Sequence, residues 1–304
     1  MNLKSLYSFF CKPLKVKFSL KRITKLPIVI YAEYTEIIND FLKPEQYYIL
    51  DVRYKSINLR ILAKSLVNYK LKWKPKHYLQ TFLSELNPSY IITFIDNDVR
   101  FWNIKKYLKT TETVFVQNGW RDSSVDIFST LSPKDHNCFK VDKMFVFNTV
   151  IGNEYKKYIT GDVYPVGSYR NNSIEINKRS TNDGVVFISS YTPEWKTLSN
   201  CKKLANYQGL EKILFALLCK IFREKKIKLS VLGKQHSRLS QIEEKFYKQI
   251  DNNFIFIPMT KEKRKNYRHI DASKLVVSLD STLGYESLAR GKRTAFLTDR
   301  KSVV

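Results

Sequence analysis

The residues whose types and spacing suit chemistry converge on one stretch, residues 275–298. Asp280, Ser281 and Thr282 follow a valine-rich apolar run, Leu275 to Leu279, and Glu286 comes four residues after Thr282. A buried strand feeding a capped helix turns free backbone N–H groups toward the end of a sheet, and that end is a natural anion site. Glu286, about one helical turn on, faces the same mouth. An anion with a hydroxylated ring beside it, as in a sugar nucleotide, suits this pattern. Helical spacing runs from Leu283 to Arg290, Gly291 is the stop, and Arg293 to Leu297 reads as the next strand.

Other strand ends carry polar clusters of the same kind. Thr93-Phe94-Ile95-Asp96-Asn97-Asp98 closes an apolar run with two acids and an amide. Asp96 is the candidate general base for an attacking hydroxyl, and Asp98 reads as a helix cap. In Gln117-Asn118-Gly119-Trp120-Arg121, Asn118 and Gly119 permit a positive-φ turn, and Arg121 offers a partner for phosphate or carboxylate; a plain surface turn is the bland alternative. Ser189 and Ser190 follow another apolar run and could hold a diphosphate. Gly233 allows close approach at the next strand end, where Lys234 supplies charge. His136, after Pro133-Lys134-Asp135, is a second base candidate. Ser281 and Thr282 would also serve as an ordinary cap, and Glu286 as a first-turn acid. His77, His136, His236 and His269 lack metal-ligand spacing, and the four cysteines form no paired set. No metal and no cofactor is expected. The chain has no GxSxG, Walker A or GxGxxG motif.

The elements that must position these residues alternate. Strands are expected at Ile28–Ala32, Tyr47–Asp51, Tyr90–Ile95, Thr113–Gln117, Lys143–Asn148, Asp162–Pro165, Gly184–Ser189, Lys228–Leu232 and Asn253–Ile257. Helices are expected at Thr35–Leu42, Leu59–Tyr69, Pro75–Leu86, Arg100–Leu108, Ile151–Tyr158, Gln208–Glu224 and Leu239–Ile250. This rhythm predicts an α/β protein with mostly parallel sheets, as two Rossmann-like domains facing a cleft. Residues 168–183 are polar with little to bury and read as the linker. The divisions are a basic N-terminal extension over 1–26, a first domain over 27–172 and a second over 173–304. The chain stops soon after a strand, so the second domain is expected to lack its closing C-terminal helices.

Composition limits the partners. The formal net charge is +25 over 304 residues. That balance favours polyanions: nucleic acid, an anionic membrane surface or phosphate-bearing substrates. The basic residues are spread along the chain, which weakens nucleic acid as the partner. Residues 1–26 hold seven Lys/Arg and no acid among aromatics, a composition able to lie on an anionic leaflet. No apolar run approaches the ~20 residues that span a bilayer. A cytoplasmic protein, peripheral at the inner face of the cell membrane, is the expectation.

The run Asp280-Ser281-Thr282-Leu283-Gly284-Tyr285-Glu286, with Leu288-Ala289-Arg290-Gly291-Lys292, resembles the donor-half signature of GT-B glycosyltransferases of bacterial surface-carbohydrate (O-antigen or capsule) biosynthesis. Residues 92–98, 114–121 and 166–172 fit the same group. The resemblance implies a second domain that binds a nucleotide-sugar donor: Ser189, Ser190, Gly233, Lys234, Ser281 and Thr282 around its diphosphate, and Glu286 on ribose or sugar hydroxyls. It implies a first domain that holds a glycan or lipid-linked acceptor, with Asp96 as base and Asn118, Gly119 and Arg121 as contacts. Sites of this group need no metal. Non-hydrolysing sugar-nucleotide 2-epimerases share the architecture. So do polyol-phosphate transferases, which usually present His-Gly where this chain has Asn118-Gly119. A basic non-catalytic binding protein is the reading from another class.

Overall fold

The computed structural model describes residues 16–31, 38–39, 41–121, 126–177, 184–193, 202–260 and 262–297. Residues 1–15 of the basic extension, half of the helix expected at Thr35–Leu42, part of the linker, Cys11, Cys201 and residues 298–304 lie outside them. The chain forms two compact units, Met1–Arg170 and Asn171–Val304.

In the first unit the strands are β1 (Lys17–Ser19), β2 (Ile28–Tyr31), β3 (Tyr47–Leu50), β4 (Ser56–Asn58), β5 (Tyr90–Thr93), β6 (Glu112–Val116), β7 (Phe139–Val146) and β8 (Ile159–Pro165). Six of them form one sheet in the order β3-β2-β5-β6-β7-β8, with every pair parallel. A parallel sheet needs crossovers, and the helices Leu59–Tyr69, Pro75–Leu86 and Thr149–Lys156 lie between its strands in sequence. β1 pairs with β4 in a separate two-stranded sheet, a pairing too short to show as a sequence pattern. The core joins Val29, Tyr31, Phe82, Leu83, Ile91, Trp102, Phe115, Met144 and Tyr155.

The second unit holds β9 (Val185–Ile188), β10 (Leu229–Leu232), β11 (Ile255–Ile257), β12 (Leu275–Ser278) and β13 (Thr294–Phe296). They form one parallel sheet in the order β11-β10-β9-β12-β13. The helices Lys202–Glu224, Arg238–Lys248, Lys263–Ala272 and Thr282–Ala289 alternate with them. Every side chain of β9 is buried, as a central strand covered on both faces requires. Gly291 stands at φ +76° just past the last helix, where Lys292 N donates to Ser287 O, the left-handed stop that a glycine permits.

The segment read as a linker is tied down where it is described. Arg290 is buried, and its guanidinium forks onto Asp271: Nε to Oδ1 at 2.7 Å and Nη2 to Oδ2 at 2.6 Å. Nη1 also donates to Asn171 Oδ1 and Ile174 O, and Nη2 to Glu175 O, each at 3.0 Å. Asn177 N donates to Asp271 Oδ2 at 3.0 Å. A polar segment with nothing apolar to bury is held here by a buried ion pair.

Candidate functional site

In an open parallel sheet the ligand crevice forms beyond the carboxyl ends of the strands where the strand order reverses. In the second unit that reversal lies between β9 and β12. The residues after β9 are Ser189 and Ser190, and those after β12 are Leu279, Asp280 and Ser281, so the structure brings both clusters to one sheet edge. Ser190 Oγ stands 3.5 Å from Asp280 Oδ1. Ser281 is the N-cap of the helix Thr282–Ala289, with its Oγ accepting from Leu283 N. Ser278 Oγ accepts in turn from Ser281 N at 3.1 Å. Gly284 lets this helix sit close on the sheet: a Cβ there would stand 2.8 Å from Ser278 Cβ and 3.0 Å from Phe296 Cε1. Glu286 is buried one turn in and accepts from Tyr267 Oη at 2.8 Å.

Behind this edge lie two acids that sequence reasoning missed. Glu243, fully buried, accepts from Ser189 Oγ, from Lys234 N at 2.9 Å and from Gln235 N at 2.9 Å. Glu211, also fully buried, accepts from Ser190 N at 2.9 Å and from Tyr247 Oη. Ser189 therefore points into the protein, where its hydroxyl is engaged. Gly233 is a packing requirement, because a Cβ would meet Phe256 Cζ at 2.8 Å and Glu243 Oε2 at 3.1 Å. Lys234 is exposed at the same strand end. For Glu211 the helix register carried a signal; for Glu243 it did not, since the apolar Leu239 and Ile242 of its helix are the exposed ones. Glu211 falls in register with Phe215, Leu218 and Phe222, and Glu243 with Ser240 and Tyr247, on the buried faces of their helices.

In the first unit the strand order reverses between β2 and β5. Asp98 caps the helix Val99–Trp102 through Arg100 N and pairs with the Arg100 guanidinium. Asp96 has no exposed surface. Its Oδ2 accepts from Arg121 Nε at 2.7 Å and Tyr155 Oη at 2.5 Å, and its Oδ1 from Arg121 Nη2 at 2.7 Å and Asn118 N at 3.2 Å. Arg121 Nη2 also donates to Asn118 Oδ1 at 3.1 Å, and Gln117 Nε2 to Gly119 O at 2.8 Å. Burial, then the neighbouring Asp96, pushes the Tyr155 hydroxyl well above its usual range. The structure thus gathers Asp96, Asn118, Gly119 and Arg121 into one braced loop. Arg121 spends its fork inside the protein, on Asp96.

His136 does not join them. It is exposed in the turn before β7 and packs edge-on against Tyr158, which precedes β8. It lies at the amino-terminal edge of the sheet, a full β7 strand of eight residues from the other edge, or roughly 25 Å at ~3.3 Å per residue. β6 and β7 are parallel, so the residues just before β7 stand at the opposite edge from those just after β6, and sequence spacing does not reveal that. Among the described residues no cluster of His, Cys, Asp and Glu is built to hold a metal ion, and no helix is long and apolar enough to cross a membrane. Cys138 and Cys219 are free thiols.

Solved structures share this architecture. UDP-GlcNAc 2-epimerase from Neisseria meningitidis, bound to UDP-GlcNAc, is 11% identical over 90% of this chain and 82% of its own, with a TM-score of 0.50. A Listeria monocytogenes protein described as a "putative UDP-N-acetylglucosamine 2-epimerase" is 10% identical over 91% of this chain and 80% of its own, also at 0.50. At such identities the likeness is one of fold: two Rossmann-like units of the GT-B kind. No curated protein matches the chain. Residues 114–304, more than half of the chain, match the family model described as "putative O-antigen biosynthesis protein". The chain belongs to that family.

Proposed function

We propose that the protein is a glycosyltransferase that moves a sugar from a nucleotide-sugar donor to a surface polysaccharide or lipid-linked glycan. One observation carries this reading: Ser190 and Asp280 meet where the second sheet reverses its strand order, beside the Ser281 cap of the helix that carries Glu286. Ser281, Thr282 and the helix start behind them would face the donor diphosphate. Glu286 would accept from a ribose or sugar hydroxyl, and exposed Lys234 would add positive charge. In the transfer an acceptor hydroxyl oxygen bonds to the anomeric carbon as the bond to the diphosphate oxygen breaks, and the hydroxyl proton passes to the departing diphosphate or to water. The departing negative charge is met by the helix N-terminus. On the acceptor side, Asn118 and Gly119 present the half-buried loop that Asp96 and Arg121 brace. Asp96 is read here as the residue that shapes this loop.

Membership in an O-antigen biosynthesis family supports a surface-glycan product, and the shared fold with an epimerase bound to UDP-GlcNAc supports a nucleotide-sugar donor. The basic balance of the chain suits both an anionic donor and an acceptor at the inner face of the cell membrane.

A thermal-shift screen against UDP, GDP, CMP, dTDP and CDP conjugates identifies the donor, since a ligand of the folded state raises its melting temperature. The matched donor is then incubated with and without lipid-linked acceptor. Nucleotide release that depends on acceptor is the expected result. A new sugar epimer formed without acceptor would overturn the transferase reading in favour of a 2-epimerase.

A further inference from the structure

Four oxygen-bearing side chains lie in a row beneath the ends of β9 and β10. Glu211 Oε1 contacts Tyr247 Oη, Tyr247 Oη stands 2.8 Å from Ser189 Oγ, and Ser189 Oγ contacts Glu243 Oε1. All four side chains are buried. Three oxygen–oxygen contacts need three protons. With both carboxylates ionised the row holds two, on Tyr247 and Ser189. One contact would then lack its hydrogen, and two anions would share a dry interior.

One more proton completes the row. Placed on Glu211 Oε1, it is donated to Tyr247, which donates to Ser189, which donates to Glu243. The negative charge then rests on Glu243, which accepts from the backbone N–H groups of both Lys234 and Gln235. Among the described residues Glu211 has a single backbone donor, Ser190 N, and its Oε2 is buried with no partner. Of the two acids, Glu211 is therefore the one built to be neutral.

We propose that this row carries a third proton, that Glu211 holds it as a neutral carboxylic acid, and that Glu211 is a positioning residue for the loops after β9 and β10. The positioning half rests on the donor-site reading above, and the proton does not. Burial pushes the Glu211 carboxyl up to about 7, with Glu243 adding to the rise and with Tyr247, Ser190 N–H and Lys234 opposing it. Those are the groups that face it, and Asp280 reaches the same loop through Ser190 Oγ. The folded value lies above the ordinary 4.5. The neutral acid therefore contributes stability that is complete below about 4.5 and lost as pH rises through about 7.

Carboxyl NMR of glutamate-labelled full chain, without ligand, tests the proton. One glutamate should titrate well above the others and vanish from the spectrum in Glu211→Gln. Tyr247→Phe removes the hydroxyl that shares this proton and should shift that titration. A spectrum in which every glutamate titrates in the ordinary range, or a midpoint unmoved by Tyr247→Phe, overturns the shared proton. Nucleoside-diphosphate affinity followed across the same range tests positioning. It should fall about tenfold as Glu211 ionises and stay level in Glu211→Gln. A level profile in the unaltered protein overturns the positioning role. Absence of nucleotide binding at every pH, with the titration intact, removes the donor reading and the positioning role while the proton stands.

Discussion

At the scale of single residues, exposure and partners decide what a carboxylate can do. Asp96 ends an apolar strand, as a crevice base would, yet both of its oxygens are taken by Arg121, Tyr155 and Asn118 N. Its removal leaves the Arg121 guanidinium buried without its anion. Asp96→Ala should therefore cost about 3–5 kcal/mol of stability, read as a lower urea midpoint. A midpoint within about 0.5 kcal/mol of the unaltered protein would mean that water replaces the pair. Glu286 is different, because it lies in the helix whose start borders the strand reversal. Glu286→Ala should weaken nucleotide-sugar binding about tenfold or more, measured by calorimetry alongside a melting curve that shows the fold retained. Unchanged affinity would remove Glu286 from the donor site. Neither environment was readable from the chain. The partners of Asp96 lie 22, 25 and 59 residues away in sequence, and a motif carries no record of such contacts.

At the scale of elements, most of the fold was legible. The helices Leu59–Tyr69 and Pro75–Leu86 have the expected bounds, because apolar spacing and the Pro75 start mark them. Strands were legible as short β-branched runs with polar ends, most of them read a residue or two too long, whereas β7 and β8 begin at Phe139 and Ile159, well before the expected Lys143 and Asp162. The helix expected over Arg100–Leu108 divides instead into Val99–Trp102 and a 3₁₀ turn, Ile104–Lys106. The helix Lys263–Ala272 went unread because it is mostly polar, with Tyr267 and Ile270 as its buried apolar anchors. Facing was harder to read than existence. The helix Arg238–Lys248 exposes Leu239 and Ile242 while burying Ser240 and Glu243, the reverse of what hydrophobicity alone suggests. The close seating of the helix Thr282–Ala289 gives this scale its test. Gly284→Ala puts a methyl 2.8 Å from Ser278 Cβ, an atom fixed to the β12 backbone that cannot swing away. A loss of about 1–3 kcal/mol is expected, together with weaker nucleotide binding as the helix start lifts from the sheet edge. Unchanged stability and affinity would mean that the helix seat is not set by this contact.

At the scale of the whole molecule, charge is the property that neither fold nor site accounts for. A net charge of +25 far exceeds what one diphosphate would need. Part of it is concentrated in the first unit, where Lys70, Lys72, Lys74 and Lys76 occupy alternate positions and are all exposed. The backbone between them is pinned. Trp73 is buried with its Nε1 donating to Ser65 Oγ at 2.9 Å, and His77 stacks on Tyr69 at 3.9 Å while its Nδ1 accepts from Lys74 N. Burial, then Lys76 and Lys74, holds the His77 imidazole below its usual range, so it adds no charge near neutrality. A fixed row of ammonium groups suits the surface of an anionic bilayer, where each lysine gains about 1 kcal/mol. Reversing all four to glutamate should lower binding to phosphatidylserine-containing vesicles at least tenfold by co-sedimentation. Binding to neutral vesicles should be weak for both proteins, and added salt should erase the difference. The row is far from Glu211, Glu286 and Asp280 in sequence and belongs to the other unit, so nucleotide affinity should be unaltered. Undiminished vesicle binding would remove this row from any membrane contact. Tight binding to RNA that the same four changes abolish would instead favour a nucleic-acid partner over the membrane.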